Sequence, residues 1–93
     1  MFTVTFRFQS KPKHNVEILQ TLQGVADKVK KIEGCTSVVV YKDIQDENIF
    51  FLVEEWQKQR SMEEHVKSDL FAALIGTKGL LAKSPEIKFM VES

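Results

Sequence analysis

The chain has 93 residues, enough for one small domain over 1–93 and too few for a second hydrophobic core. Its 43% hydrophobic and 28% charged content fits an ordinary soluble globular fold and excludes a disordered chain. Lys and Arg number 13, as do Asp and Glu, so no net field favours nucleic acid or anionic lipid, and partners must be met through local shape.

At the amino terminus Phe2, Val4, Phe6 and Phe8 alternate with Thr3, Thr5, Arg7 and Gln9, the period-two pattern of a strand with one buried face. The same alternation is unlike the basic-then-apolar order of an export signal, and no later apolar run nears the roughly 20 residues of a membrane helix. Pro12 closes this strand. From about Asn15, Ile18, Leu19, Leu22, Val25, Ala26, Val29 and Ile32 recur every three or four positions and predict a long amphipathic helix. Gly24 inside it costs about 1 kcal/mol relative to Ala and reads as a tolerated position.

Gly34 stands where a left-handed residue would end that helix, and CTSVVVYKD follows as a β-branched second strand. Cys35, the only cysteine, excludes an internal disulfide and a thiolate zinc cage, and suits a small buried position in a reducing cytoplasm. The polar stretch 44–48 reads as a turn, and IFFLVEEW as a third strand in a hairpin with the second. Ser61 with Glu64 three residues on matches a capping box, which predicts a short helix starting there with Met62, Val66 and Leu70 inward. Ser68 and Asp69 offer a second cap before LFAALIG, so a second helical piece is expected to run toward Leu81. Pro85 opens a fourth strand with Ile87, Phe89 and Val91 on one face.

Strand, helix, strand, strand, helices, strand is the order of an α+β, ferredoxin-like split-βαβ sandwich, a four-stranded antiparallel sheet with helices on one face. In strand three, Phe50, Leu52 and Trp56 point one way and Ile49, Phe51 and Val53 the other. Helices can cover only one of these faces. The second is expected to close a homodimer, sheet against sheet, or else to remain as ordinary exposed apolar surface.

Four segments in register carry a family resemblance: Glu33 with Gly34-Cys35, Tyr41 with Asp43, Glu54 with Trp56, and His65 with Ser68 and Phe71. The chain resembles the antibiotic biosynthesis monooxygenase domain family, in particular its small quinol-monooxygenase-like members, over nearly its whole length. The resemblance implies a dimeric α+β barrel in which each subunit holds a pocket between sheet and helices. It also implies oxidation of a small aromatic or quinol compound by molecular oxygen, with no metal, flavin or other cofactor. Haem-degrading members of the wider superfamily use an asparagine, a tryptophan and a histidine where Phe6, His65 and Ile75 stand here. The resemblance therefore does not extend to a haem role.

An electron-rich phenol or quinol gives electrons to oxygen far better once deprotonated, so such a reaction calls for a base in a dry pocket. His65, at the edge of the inner helical face, is the candidate; a histidine there can equally pack and hydrogen-bond without catalysis. Trp56, Phe71 and Phe6 are candidates to line a pocket for an aromatic ligand, and equally candidates for core. Tyr41 could donate to a substrate oxygen or end its strand in water, and Arg7 suits a dimer salt bridge as well as a ligand. His14, beside Lys13, reads as a solvated turn residue, and the two histidines make no metal motif.

Two functions stay open at this point: a cofactor-independent monooxygenase, and a non-catalytic dimeric ligand-binding or stress-response module on the same fold. RNA binding is set aside, because the basic glycine-aromatic strand motif is absent and the net charge is zero.

Overall fold

The computed structural model describes residues 1–68 and 79–93. Its elements are β1 (Phe2–Gln9), a 3-10 turn (Pro12–His14), α1 (Asn15–Val29), β2 (Cys35–Lys42), β3 (Ile49–Trp56), α2 (Gln59–Val66) and β4 (Glu86–Val91). The strands form one antiparallel sheet in the order β2-β3-β1-β4, the ferredoxin-like arrangement expected from the element order.

Both helices pack on the same face of that sheet. The alternating residues Val4, Phe6 and Phe8 of β1 are sealed, as are Phe50, Leu52 and Trp56 of β3 and Val38 of β2. They meet Ile18, Leu22, Val25, Ala26 and Val29 from α1 and Met62 from α2 in one cluster. Burying each large aliphatic or phenyl side chain contributes about 1.5–3 kcal/mol, so this face supplies most of the driving force for folding. On β4, the register sets Ile87, Phe89 and Val91 beside Phe6, Val4 and Phe2, on the same face, but at 36%, 53% and 64% exposure.

Local chemistry accounts for the joins. Gly34 takes φ +95, in the left-handed region, and its carbonyl accepts the Gln57 amide at 2.8 Å, tying the turn before β2 to the join between β3 and α2. The hairpin turn is held by carboxylates: Asp43 Oδ2 accepts the amides of Gln45 and Asp46, and Asp46 Oδ1 that of Asn48. Gly24 faces open space, so its tolerance within α1 is a matter of vacancy rather than close packing.

Three expectations change. Helix α1 stops at Val29, with Ile32 in the following turn, where its amide still bonds the Val29 carbonyl. Helix α2 begins at Gln59, two residues before the capping-box serine, and no side chain caps it. Ser61 instead lies against Gly34, so closely that a Cβ at Gly34 would sit 2.6 Å from its hydroxyl oxygen. Finally, the carboxyl end of the expected second helical piece is extended: Leu81 bridges Ser10, and the Ala82 amide bonds the Gln9 carbonyl at 2.8 Å. The rest of that piece lies outside the described residues.

Candidate functional site

Just before its last residue, Trp56, strand β3 carries two adjacent glutamates, and alternation sends them to opposite faces. Glu54 falls on the core face between Leu52 and Trp56, flanked across the sheet by Val4 and Val38, and is 0% exposed. A carboxylate walled by valines would cost several kcal/mol if left without donors. Two donors answer it. The indole Nε1 of Trp56 donates to Oε1 at 3.2 Å, and Oε2 lies 3.1 Å from Nε2 of His65, which descends from α2. The imidazole and indole rings stack with centroids 5.2 Å apart and planes inclined by 29°. All three side chains are buried, His65 at 3% and Trp56 at 0% exposure.

The helix that brings His65 here is fixed at both ends. Its start abuts Gly34, as described above. At its end the Ser68 hydroxyl donates to the His65 carbonyl at 2.6 Å and the Ser68 amide to the same oxygen at 2.9 Å, closing α2 one turn past the histidine. The serine that the sequence suggested as an opening cap for the next helix thus serves as a closing one for this helix.

A cleft of about 650 Å³ lies between α2 and the α1–β2 turn. Ile32, Gly34, Ser61, Glu64 and Ser68 line it together with His65, the one residue of the buried trio that reaches it. Beside the trio lies Cys35, paired across the sheet with Trp56. Burial pushes its thiol up from the ordinary range; a backbone hydrogen bond at Ser37 opposes this, and the nearby Glu54 carboxylate adds to it.

Of the other candidates, Phe6 is in the sealed core, level with Leu52 and stacked on Phe8 at 6.1 Å. Tyr41 pairs with Phe51 on the opposite face of the sheet and is 51% exposed, so it does not join Trp56 and His65. Arg7 is on that same far face, 3.7 Å from Glu86 of β4. His14 bonds Glu17 at 3.0 Å at the start of α1, as a partly exposed turn residue. Phe71 and Ile75 lie outside the described residues.

Sequence reasoning missed Glu54, although the signal was present: a residue between Leu52 and Trp56 in strict alternation must share their face. A glutamate there requires a donor, and the one histidine on the inner face of the next helix is the natural supplier.

The fold is shared with solved structures. An antibiotic biosynthesis monooxygenase superposes with a TM-score of 0.87 at 18% identity, covering 100% of this chain and 99% of that one. A conserved protein from Methanosarcina mazei Go1 gives 0.89 at 26% identity, covering 99% and 92%. A Mycobacterium tuberculosis protein gives 0.87 at 19%, covering 99% and 94%. No curated protein matches the sequence. The family model described as antibiotic biosynthesis monooxygenase matches residues 1–76, which takes in β1 through α2 and the whole of the buried trio, and the chain belongs to that family.

Proposed function

We propose that the protein is a cofactor-independent monooxygenase acting on a small aromatic or quinol compound, with His65 as the base that deprotonates it. The reading rests on one observation: His65 is held in the interior by Glu54 and Trp56 while also forming part of the wall of the cleft. An imidazole fixed by a carboxylate and a stacked ring loses little freedom when it takes a proton, and water is kept from the side chain that does so. The quinol anion then delivers electrons to oxygen. For a naphthoquinol the balance is quinol plus O2 giving hydroxyquinone plus water: one oxygen atom enters the ring, the other leaves as water, and the substrate supplies all four electrons.

In this reading Trp56 orients the base rather than stacking on the ligand, and Ile32 is the apolar side chain in a cleft otherwise lined by polar and charged residues such as Lys58, Arg60 and Glu64. Oxygen uptake with a panel of naphthoquinols and anthrones tests it, comparing wild type with His65→Gln, which keeps an N–H for Glu54 but has no basic nitrogen. Turnover that falls at least 100-fold in the variant supports the base. Equal turnover removes His65 from the chemistry.

The second reading, a ligand-binding module without chemistry, is favoured by the complete burial of both the His65 and Glu54 side chains. It expects no oxygen uptake with any member of the panel, together with saturable binding of the same compounds.

The open sheet face fits a homodimer. Val39 and Tyr41 on β2 and Phe51 and Val53 on β3 form a contiguous apolar row there, with Val39 39% exposed. Val53→Lys in the middle of that row should convert a dimer into a folded monomer by light scattering. A wild type that is monomeric at high concentration would end the idea.

A further inference from the structure

The trio contains one group whose hydrogen-bonding sense admits no choice. An indole Nε1 is a donor only, so the oxygen it meets on Glu54 must accept. The carboxylate carries no hydrogen of its own when ionised, so its second oxygen must accept from His65 Nε2. Within the sheet Glu54 is flanked by Val4 and Val38, whose side chains offer no competing hydrogen bond.

We propose that Glu54, held in place by Trp56, is a positioning residue that fixes the neutral ring of His65 as the Nε2–H tautomer, so that Nδ1 carries the basic lone pair. The proposal rests on the reading of His65 as a base only for its catalytic meaning; with Glu54 ionised, the tautomer follows from the donors and acceptors. A base must present its lone pair, not its N–H, to the proton it takes, and which nitrogen does so is set by the bond at the other.

The device makes a counterintuitive prediction. Glu54→Gln preserves shape and removes only charge and one acceptor. The Trp56 donor selects the orientation of the new amide, because it can bond only the carbonyl oxygen. The amide NH2 must then face His65 Nε2, which can meet it only as an acceptor, so the ring proton moves to Nδ1. A single isosteric change at Glu54 should therefore switch the histidine tautomer and deprive the site of its base, although the base itself is untouched.

The experiment is 15N NMR of protein labelled at histidine, at a pH where the shifts show the His65 ring to be neutral. The expected result is an Nε2–H ring in wild type and an Nδ1–H ring in Glu54→Gln. The Trp56 indole proton should also move upfield in the variant as its acceptor changes from carboxylate to amide carbonyl. An Nδ1–H ring in wild type, a ring doubly protonated at every accessible pH, or the same tautomer in both proteins overturns the proposal. An indole proton that does not move overturns the part assigned to Trp56. The wild-type measurement stands even if Glu54→Gln does not fold. Failure is also separable from failure of the base reading: the tautomer switch with no oxygen uptake in wild type sinks the base and leaves Glu54 as proposed. Turnover lost in His65→Gln but no switch in Glu54→Gln sinks the present proposal and leaves the base.

Discussion

Glu54 and Glu55 are chemically identical neighbours, yet they live in different solvents. Glu54 is sealed under α2 with an indole and an imidazole on its two oxygens. Glu55, one residue on, pairs with Thr3 and Ser37 on the open face and is only half-buried. A strand that puts a carboxylate on each side of one sheet shows what decides whether a charge is structural freight or chemical equipment. The residue type is the same; the donors within reach and the exclusion of water differ.

The most severe way to test that contrast is truncation. Removing one partner from a buried polar pair costs about 3 to 5 kcal/mol, because the groups left behind are stranded away from water. Glu54→Ala should lose stability on that scale in urea unfolding, whereas Glu55→Ala should stay within about 0.5 kcal/mol of wild type, as ordinary surface changes do. Equal losses at the two positions would mean that the sealed environment does not govern the pair.

A smaller effect is expected where the loop meets α2. Gly34→Ala places a Cβ 2.6 Å from the Ser61 hydroxyl oxygen and imposes φ +95 on a residue with a side chain. Left-handed backbone costs a non-glycine residue about 1 to 2 kcal/mol, and the clash adds to it. We expect a loss of about 2 kcal/mol, of which Ser61→Gly in the same chain recovers only the steric part. Because this contact seats the helix bearing His65, the imidazole–indole stacking should loosen as well, seen as a shift of the His65 ring resonances. A fully stable Gly34→Ala with unmoved His65 would show that the sealed face does not depend on this join.

Much of this was legible beforehand, for identifiable reasons. Strand β1 is legible by period two and α1 by period 3.6, since each buries one side only; β3, apolar on both faces, is legible by its run of aromatic and branched residues, and β4 by the alternation of Ile87, Phe89 and Val91, which nevertheless stay exposed. Helix α2 is legible except for its start, because Ser61 and Glu64 satisfy a capping pattern while the contact Ser61 makes is with Gly34, far away in sequence. The side of Tyr41 was unreadable in VVVY, where three consecutive valines carry no polarity to tell one face from the other; only Val38 proves to be sealed. His65 stands out as a polar residue near the inner face of a helix, whereas its partner is less conspicuous: Glu54 continues the apolar row of β3 in strict alternation, a place where a carboxylate is rare. Pairing across 11 residues is a tertiary fact, yet its need for a donor was written in the strand.

The finest probe of the contrast is Cys35, which reports the charge of Glu54 from a distance. Its thiol is pushed up first by burial, against a lowering hydrogen bond at Ser37, and then by the Glu54 carboxylate. Alkylation follows the thiolate, so the pH midpoint for labelling Cys35 should lie above the ordinary cysteine value of about 8.5. Glu54→Gln removes the carboxylate and should bring that midpoint down, with the burial contribution left in place; Glu55→Gln, across the sheet, should leave it where it was. The sign for stability follows from the same raised thiol. The folded state holds this proton more tightly than the unfolded chain, so the contribution is complete below the unfolded thiol value and disappears as the pH rises through the folded one. Cys35→Ala should therefore flatten the alkaline limb of the stability curve without changing it near neutrality. If Glu55→Gln moves the labelling midpoint as far as Glu54→Gln does, the two carboxylates are felt alike at Cys35, and the sheet does not separate their fields.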